Sequence, residues 1–301
     1  MPKTGLKKYS LPSAREIAVL DTYEIEFPRQ IAFALRWIYD IHGWSGRDLE
    51  SLIPGVKASV WQRYAQPAYQ KSRSLHVVAA LSWVSQVTMS AILYGDRIAQ
   101  YWPGASRSKV ELFIYSGLMG ADEFRYFISK ILHFIEPGTV RQLRERWAAL
   151  LEADTDEKAI SAPHPLDITA FGRDYYLSVA HVLREFRKQN NLSLENMAMV
   201  LGVSDRRYAS FENTDNPPQT MGLHLAARLK LAFHIPDTVP FLSMMKAFPG
   251  FANARAIQQQ RELMLLQLFS ELPANRIPYL AAIASDLTEI RRRFSRCADI
   301  V

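Results

Sequence analysis

The chain has 301 residues, 49% of them hydrophobic and 22% charged, so it is long enough for two domains with ordinary apolar cores. A single cysteine, Cys297, excludes a disulfide-stapled fold and favours a reducing compartment. The formal net charge of +6 comes from residues 1–150, because residues 151–301 balance to zero, and it is compatible with a polyanionic partner.

The first residues, 1–26, are interpreted as an N-terminal arm, and residues 27–95 as a first domain. No apolar run follows the early lysines, so we expect no signal peptide and a cytoplasmic protein. Pro28 suits the first turn of a helix, so we expect a helix to begin near it. The apolar run at residues 74–95 has the length of a membrane span, about 20 residues. Its serines, glutamine and threonine are too polar for lipid, so we expect no membrane contact.

Two further segments, residues 96–150 and 236–301, are interpreted as helical extensions. Their apolar residues recur at helical spacing, which predicts two or three helices in each that pack on a domain or on another subunit. We expect these apolar residues to form a hydrophobic core rather than to line a ligand pocket. The residues at helical spacing are Phe127, Ile131, Phe134, Ile135, Leu263, Leu265, Leu266 and Phe269. An acidic run followed by two prolines predicts a linker at residues 151–166.

The second domain, residues 167–235, carries strong helix-boundary signals. Ser193 is a good N-cap, and Asn196 stands where a capping box has Glu or Gln, so we expect only half of the box. Gly202 is expected to end that helix, because glycine accepts a left-handed backbone. Ser204 is expected to cap the next helix, whose Tyr208 and Phe211 face the core.

An ordered set of positions in residues 183–229 resembles the Cro/CI-type (XRE-family) helix-turn-helix. The set is Leu183–Arg184, Leu192–Ser193, Met197–Ala198, Gly202–Val203–Ser204, Phe211–Glu212–Asn213 and Pro217. The resemblance implies a lambda-repressor-like domain whose second motif helix enters the major groove of DNA. Arg206 and Arg207 are then the main candidates for base contact, because arginine binds guanine and phosphate in bidentate pairs. The other implied DNA contacts in this copy are Ser193, Ser204, Asp205, Ser210 and Asn213. Leu194 stands where the family often has a glutamine, which removes one contact.

Sliding the chain by 148 positions superimposes its two halves in order. Leu75 and His76 fall on Leu223 and His224, and Leu35–Arg36 falls on Leu183–Arg184. When one extra residue is allowed in the first copy, Trp61 and Tyr64 align with Tyr208 and Phe211. Further on, WPG at 102–104 aligns with FPG at 248–250. We therefore predict an all-α fold built by tandem duplication, with a degenerate first motif. Because the two histidines share a repeat position, they need not share a metal.

The first motif has its own candidate DNA contacts. Lys57 stands at the cap position of its second helix, and Ser59, Gln62 and Arg63 are the exposed candidates on that helix. Arg47, Lys71 and Arg73 lie nearby, and the last two would suit phosphates. The alternative is that this copy serves packing or dimerisation and no longer reads bases.

These features predict a sequence-specific, DNA-binding transcriptional regulator that uses two linked motifs as a pseudo-dimer on an asymmetric site. The family implies a bacterial or phage host and a nucleoid location. The alternative is a protein-interaction module that acts through another regulator. The extensions are candidates for self-association. We expect no enzyme, cofactor or metal, because the sequence has no Walker loop, HExxH or cysteine pair.

Overall fold

A computed structural model describes residues 9–94, 107–153, 161–235 and 237–298. Every regular element in these ranges is helical, which confirms the all-α prediction. In chain order the α-helices are α1 Ala14–His42, α2 Gly46–Leu52, α3 Ala58–Tyr64, α4 Leu75–Val84, α5 Met89–Tyr94, α6 Arg107–Leu118, α7 Ala121–Ile131, α8 Pro137–Ala153, α9 Ile168–Gln189, α10 Leu194–Leu201, α11 Asp205–Phe211, α12 Leu223–Ala232, α13 Pro249–Glu271 and α14 Ile277–Ala298. Short 3₁₀ turns lie at Leu132–Phe134, Val239–Leu242 and Ala274–Arg276.

The chain folds into two compact units that are interleaved in sequence. We call residues 1–81 with 164–252 the motif unit, and residues 82–163 with 253–301 the extension unit. Both predicted helix-turn-helix regions therefore lie in the motif unit. The predicted first domain, residues 27–95, reaches into the extension unit. The WPG at 102–104 and most of the predicted acidic linker lie outside the described residues.

The first helix is longer than expected. We predicted an arm at residues 1–26 and a helix start near Pro28, but α1 begins at Ala14. Ser13 explains this start, because its side chain and that of Glu16 form a complete capping box. Pro28 lies inside the helix, where a proline costs about 3 kcal/mol or more. A row of buried residues, including Phe27 and Ile31, continues through it, so packing offsets that cost.

The helix before the turn of the second motif ends as predicted. Gly202 adopts a left-handed φ of 65° and ends α10. The capping box at Ser193 is complete rather than half formed, which corrects our expectation. Asn196 Oδ1 accepts from Ser193 N at 3.1 Å, because an amide oxygen can replace the carboxylate of the usual glutamate. The predicted core residues are buried in both motifs: Trp61, Tyr64, Tyr208 and Phe211.

The extension unit contains α5, α6–α8, α14 and most of α13, and α14 packs along α6. Most predicted core positions are buried, but Phe134 and Leu263 are exposed at 52% and 43%. Arg261 is buried on α13 and donates to the carbonyls of Ser116 and Met119 at 2.6 and 2.8 Å, which ties α13 to the end of α6. Among the helices described, none combines the length and apolarity that a bilayer span requires.

Candidate nucleic-acid interface

The second motif presents α11 beyond a tight turn. Val203 N donates to Ala198 O at 3.0 Å, which closes the turn after α10. Ser204 then caps α11 by accepting from Arg207 N at 3.4 Å. The turn thus fixes how α11 leaves α10, which is the geometric requirement of a helix-turn-helix.

The two faces of α11 have opposite character. Tyr208 and Phe211 are buried at 0% and 2% exposure, so one face belongs to the core. The predicted contacts Asp205, Arg206, Arg207 and Ser210 are all exposed on the other face. Among the residues described, neither arginine forms a salt bridge. This face therefore offers two guanidinium groups to a solvent-side partner.

A buried ion pair holds the C-terminal end of α11. Glu212 is only 4% exposed, and Arg187 donates to both of its carboxylate oxygens at 2.7 and 2.8 Å. The Tyr208 hydroxyl donates to the same carboxylate, and Arg184 donates to the Glu212 carbonyl at 2.6 Å. The hydrogen bond to Glu212 raises the pKa of Arg187, and burial together with Glu212 raises that of Tyr208. We call these four residues the Glu212 clamp; it fixes α11 against α9.

The first motif starts its second helix differently. Ser45 and Asp48 form a complete capping box at the start of α2, as Ser193 and Asn196 do at α10. Lys57 occupies the N-cap of α3 but makes no capping bond. Instead, Glu50 on α2 accepts from Ala58 N at 2.9 Å. Glu50, on α2, thus supplies the acceptor that Lys57 lacks at the N-cap of α3.

Arg73 does not have the role that we predicted. We expected it to contact phosphate, but it is 3% exposed. Its Nε donates to Tyr64 O at 2.8 Å and its Nη2 to Gln66 O at 3.4 Å. Burial lowers its pKa to about 10. Arg73 therefore holds the carbonyls at the end of α3. The Glu212 clamp does this at the end of α11. In the first motif Ala65 stands at the position of Glu212, and its methyl side chain cannot form such a clamp.

The other predicted contacts of the first motif remain at the surface. Lys57, Ser59, Gln62, Arg63, Arg47 and Lys71 are exposed. Arg63 Nε donates to the carbonyl of Ser59 at 3.2 Å, so this cation lies back along its own helix.

Two predicted contacts of the second motif make local bonds. Asn213 accepts from Asp215 N and Asn216 N at 3.0 and 2.9 Å and so shapes the loop after α11. Ser193 is exposed but its oxygen caps α10. Each keeps part of its polar capacity for another partner.

The two motifs are joined by a reciprocal pair of main-chain hydrogen bonds. Leu75 N donates to Met221 O and Leu223 N donates to Arg73 O, each at 2.8 Å. Together they form an isolated antiparallel bridge between Ser74 and Gly222. We call residues 72–76 with 220–224 the joint. The joint was not among our predictions, because nothing in the sequence of either segment marks a pairing with the other.

Side chains reinforce the joint from both halves. Tyr176 on α9 accepts from Met221 N at 2.9 Å and lies 3.0 Å from His76 Nδ1. His224 Nδ1 lies 3.0 Å from Ser72 Oγ, and its Nε2 is 3.5 Å from Glu24 on α1. Each histidine thus contacts the long first helix of the other motif, as an isologous pairing requires.

Arg228 adds a charged contact beside the joint. It is 1% exposed, and its Nη1 lies 2.7 Å from both Asp21 and Glu24 on α1. Its Nε donates to Val200 O at the end of α10 at 3.0 Å. A single side chain on α12 therefore links the second motif to the first helix of the chain.

Among the described residues, no cluster of His, Cys, Asp and Glu has the arrangement of a metal site. Burial lowers the pKa of His76 to about 4, which fits a histidine packed in a core. Comparison with family models, curated proteins and solved structures finds no match to this chain.

Proposed function

We propose that the motif unit binds double-stranded DNA and that the protein is a sequence-specific transcriptional regulator acting at the nucleoid. The observation that carries this proposal is the exposed face of α11. Arg206 and Arg207 project from the second helix of a capped helix-turn-helix whose opposite face is buried. In this motif the second helix lies in the major groove, with its N-terminal residues at base edges. The two arginines occupy that part of α11.

The joint supports the further proposal that the chain is a tandem duplication acting as a pseudo-dimer. Its bonded residues are those that the repeat offset aligns: Arg73 with Met221, and Leu75 with Leu223. A two-fold dimer makes reciprocal bonds of this kind, in which one residue bonds a second residue of the partner and that second residue bonds the first. Two motifs held in this way would bind two DNA half-sites about 34 Å apart, which is one turn of the duplex. Because α3 and α11 carry different side chains, the DNA site would be asymmetric.

The test compares DNA binding by wild type and by Arg206→Ala at moderate salt. Loss of a bidentate base contact would cost about 1–3 kcal/mol on the preferred site and relax the preference at that base pair. Arg141→Ala is the matched control, because Arg141 is exposed in the extension unit and its loss changes net charge equally. Unchanged affinity and preference in Arg206→Ala would refute the assignment of α11 as the reading helix.

A second candidate function is a protein-interaction module in which DNA contact is secondary. The observation that favours it is the first motif, where Arg73 is buried and Arg63 bonds its own helix. This motif therefore presents fewer free cations than its sequence indicates. A gel shift with random DNA at low and moderate salt separates the two functions. Absence of any shift at low salt would favour the interaction module, since even non-specific binding is strongest there.

A further inference from the structure

We propose that the joint fixes the distance and rotation between α3 and α11, so that the protein accepts only one spacing of its two half-sites. This inference rests on the proposed DNA-binding function and adds a second kind of specificity to it. A flexibly linked pair of motifs would tolerate several spacings, because the linker would absorb the change. A rigid pair would engage both half-sites at one spacing only.

The first supporting observation is that the motifs are bonded through their backbones. The bonds from Leu75 N to Met221 O and from Leu223 N to Arg73 O are short and reciprocal. Main-chain atoms have no rotamers, so such a pair defines the relative direction of the two segments. Each segment leads directly into a helix, α4 or α12, so this direction is passed to both motifs.

The second observation is that Gly222 leaves no free space at the joint. A Cβ atom at this position would lie 2.3 Å from Ser72 Oγ and 2.3 Å from His224 Cε1. Its φ is −74°, so the need for glycine is steric and does not come from the backbone conformation. A methyl group there would have to displace the Ser72 hydroxyl of the opposite segment and the His224 ring, and with them the contact between these two side chains.

The third observation is that contacts on both sides of the bridge resist rotation about it. Tyr176 ties α9 to the bridge through Met221 N and His76. Arg228 ties α12 to Asp21 and Glu24 on α1. A hinge at the bridge alone would have to break these charged and buried contacts. The two motifs are thus held at several separated points.

The consequence for DNA follows from the geometry of the duplex. Changing the distance between half-sites by about five base pairs turns one of them by half a helical turn, to the far face. A rigid module then engages one motif only and loses the gain from simultaneous binding. That gain is typically about 100-fold or more. We expect a loss of this size when the spacing is changed by five base pairs.

The experiment uses the full chain and a DNA site selected from a random pool. Duplexes are made in which the half-sites are moved together or apart by one to six base pairs, and Kd is measured for each. Wild type is expected to show a single sharp optimum. Gly222→Ala is expected to bind the optimal duplex more weakly while its Kd on the shifted duplexes stays the same, which flattens the profile.

The outcomes separate this inference from the function on which it rests. If no DNA sequence is enriched or bound, the proposed function fails and this inference fails with it. If wild type binds all spacings with equal Kd, DNA binding stands and the fixed spacing is refuted. A folded Gly222→Ala protein with the wild-type profile also refutes the joint as the cause. Circular dichroism reports folding, and the wild-type series decides the question even if that variant unfolds.

Discussion

The Glu212 clamp makes a quantitative prediction about the stability of the reading helix. Glu212→Gln keeps the shape of the side chain but removes its charge, and an amide NH2, which donates, replaces one of the two oxygens that accept from Arg187, so one of the two bonds is lost. Bonds to charged groups contribute about 1.5–3 kcal/mol and neutral ones about 0.5–1.5 kcal/mol. Losing one bond that involves charged groups gives a decrease of about 2 kcal/mol in the free energy of unfolding. Glu212→Ala leaves Arg187 unpaired in a largely buried place, and we expect a decrease of about 3–5 kcal/mol.

The assay is urea unfolding followed by circular dichroism, with Glu185→Gln as the matched control. Glu185 also pairs with a cation, Lys188, but at 4.0 Å with both side chains well exposed. Such a surface pair contributes about 0–1 kcal/mol, so the control should change little. Equal losses in Glu212→Gln and Glu185→Gln would refute the idea that the clamp stabilises α11. An unchanged midpoint in Glu212→Ala would refute it more strongly.

The remaining predictions concern pH and salt. The pKa of His76 is about 4 in the fold against 6.5 when exposed, so the unfolded chain binds more protons between these values. The contribution of neutral His76 to the free energy of unfolding is complete above pH 6.5 and falls as the pH falls, by about 2 kcal/mol at pH 5. In urea titrations the free energy of unfolding of His76→Gln should decrease less over this range. An identical decrease in wild type and variant would exclude His76 as the cause. Lys71→Ala should weaken binding to all DNA sequences alike and reduce the salt slope by about one unit, as measured by titration at several salt concentrations. Arg73→Ala should destabilise the motif unit, and in the folded protein it should leave the salt slope unchanged because Arg73 is buried; a slope reduced as in Lys71→Ala would restore Arg73 as a phosphate contact.

The elements that could be predicted from the sequence are those with local causes. A cap is decided by a serine and its next three residues, so Ser193 and Ser204 were recognisable as N-caps, and the same local rule accounts for Ser45. A glycine that ends a helix is equally local, as Gly202 shows. The buried face of α11 followed from helical spacing, which places Tyr208 on the core side. The exposed candidate contacts of α11 came instead from the resemblance to the Cro/CI-type motif.

The features that could not be predicted depend on contacts between different segments, which no single helix or cap signal reveals. Arg73 looked like a phosphate contact. Its partners, the carbonyls of Tyr64 and Gln66, come within its reach only because the chain after α3 turns back towards the end of that helix. Glu50 replaces a missing cap from another helix, which no local rule anticipates. The bridge between Ser74 and Gly222 joins residues that are 148 positions apart in the chain. Sequence similarity suggested that the halves are related, but it could not show how they pair.

The most direct test of the central claim is selection of DNA from a random pool by the full chain at low and moderate salt. The account predicts one enriched, asymmetric site with two half-sites about one helical turn apart. It also predicts that Arg206→Ala loses enrichment at the base pair that this arginine contacts. A pool that remains unenriched at low salt would contradict DNA reading by the motif unit.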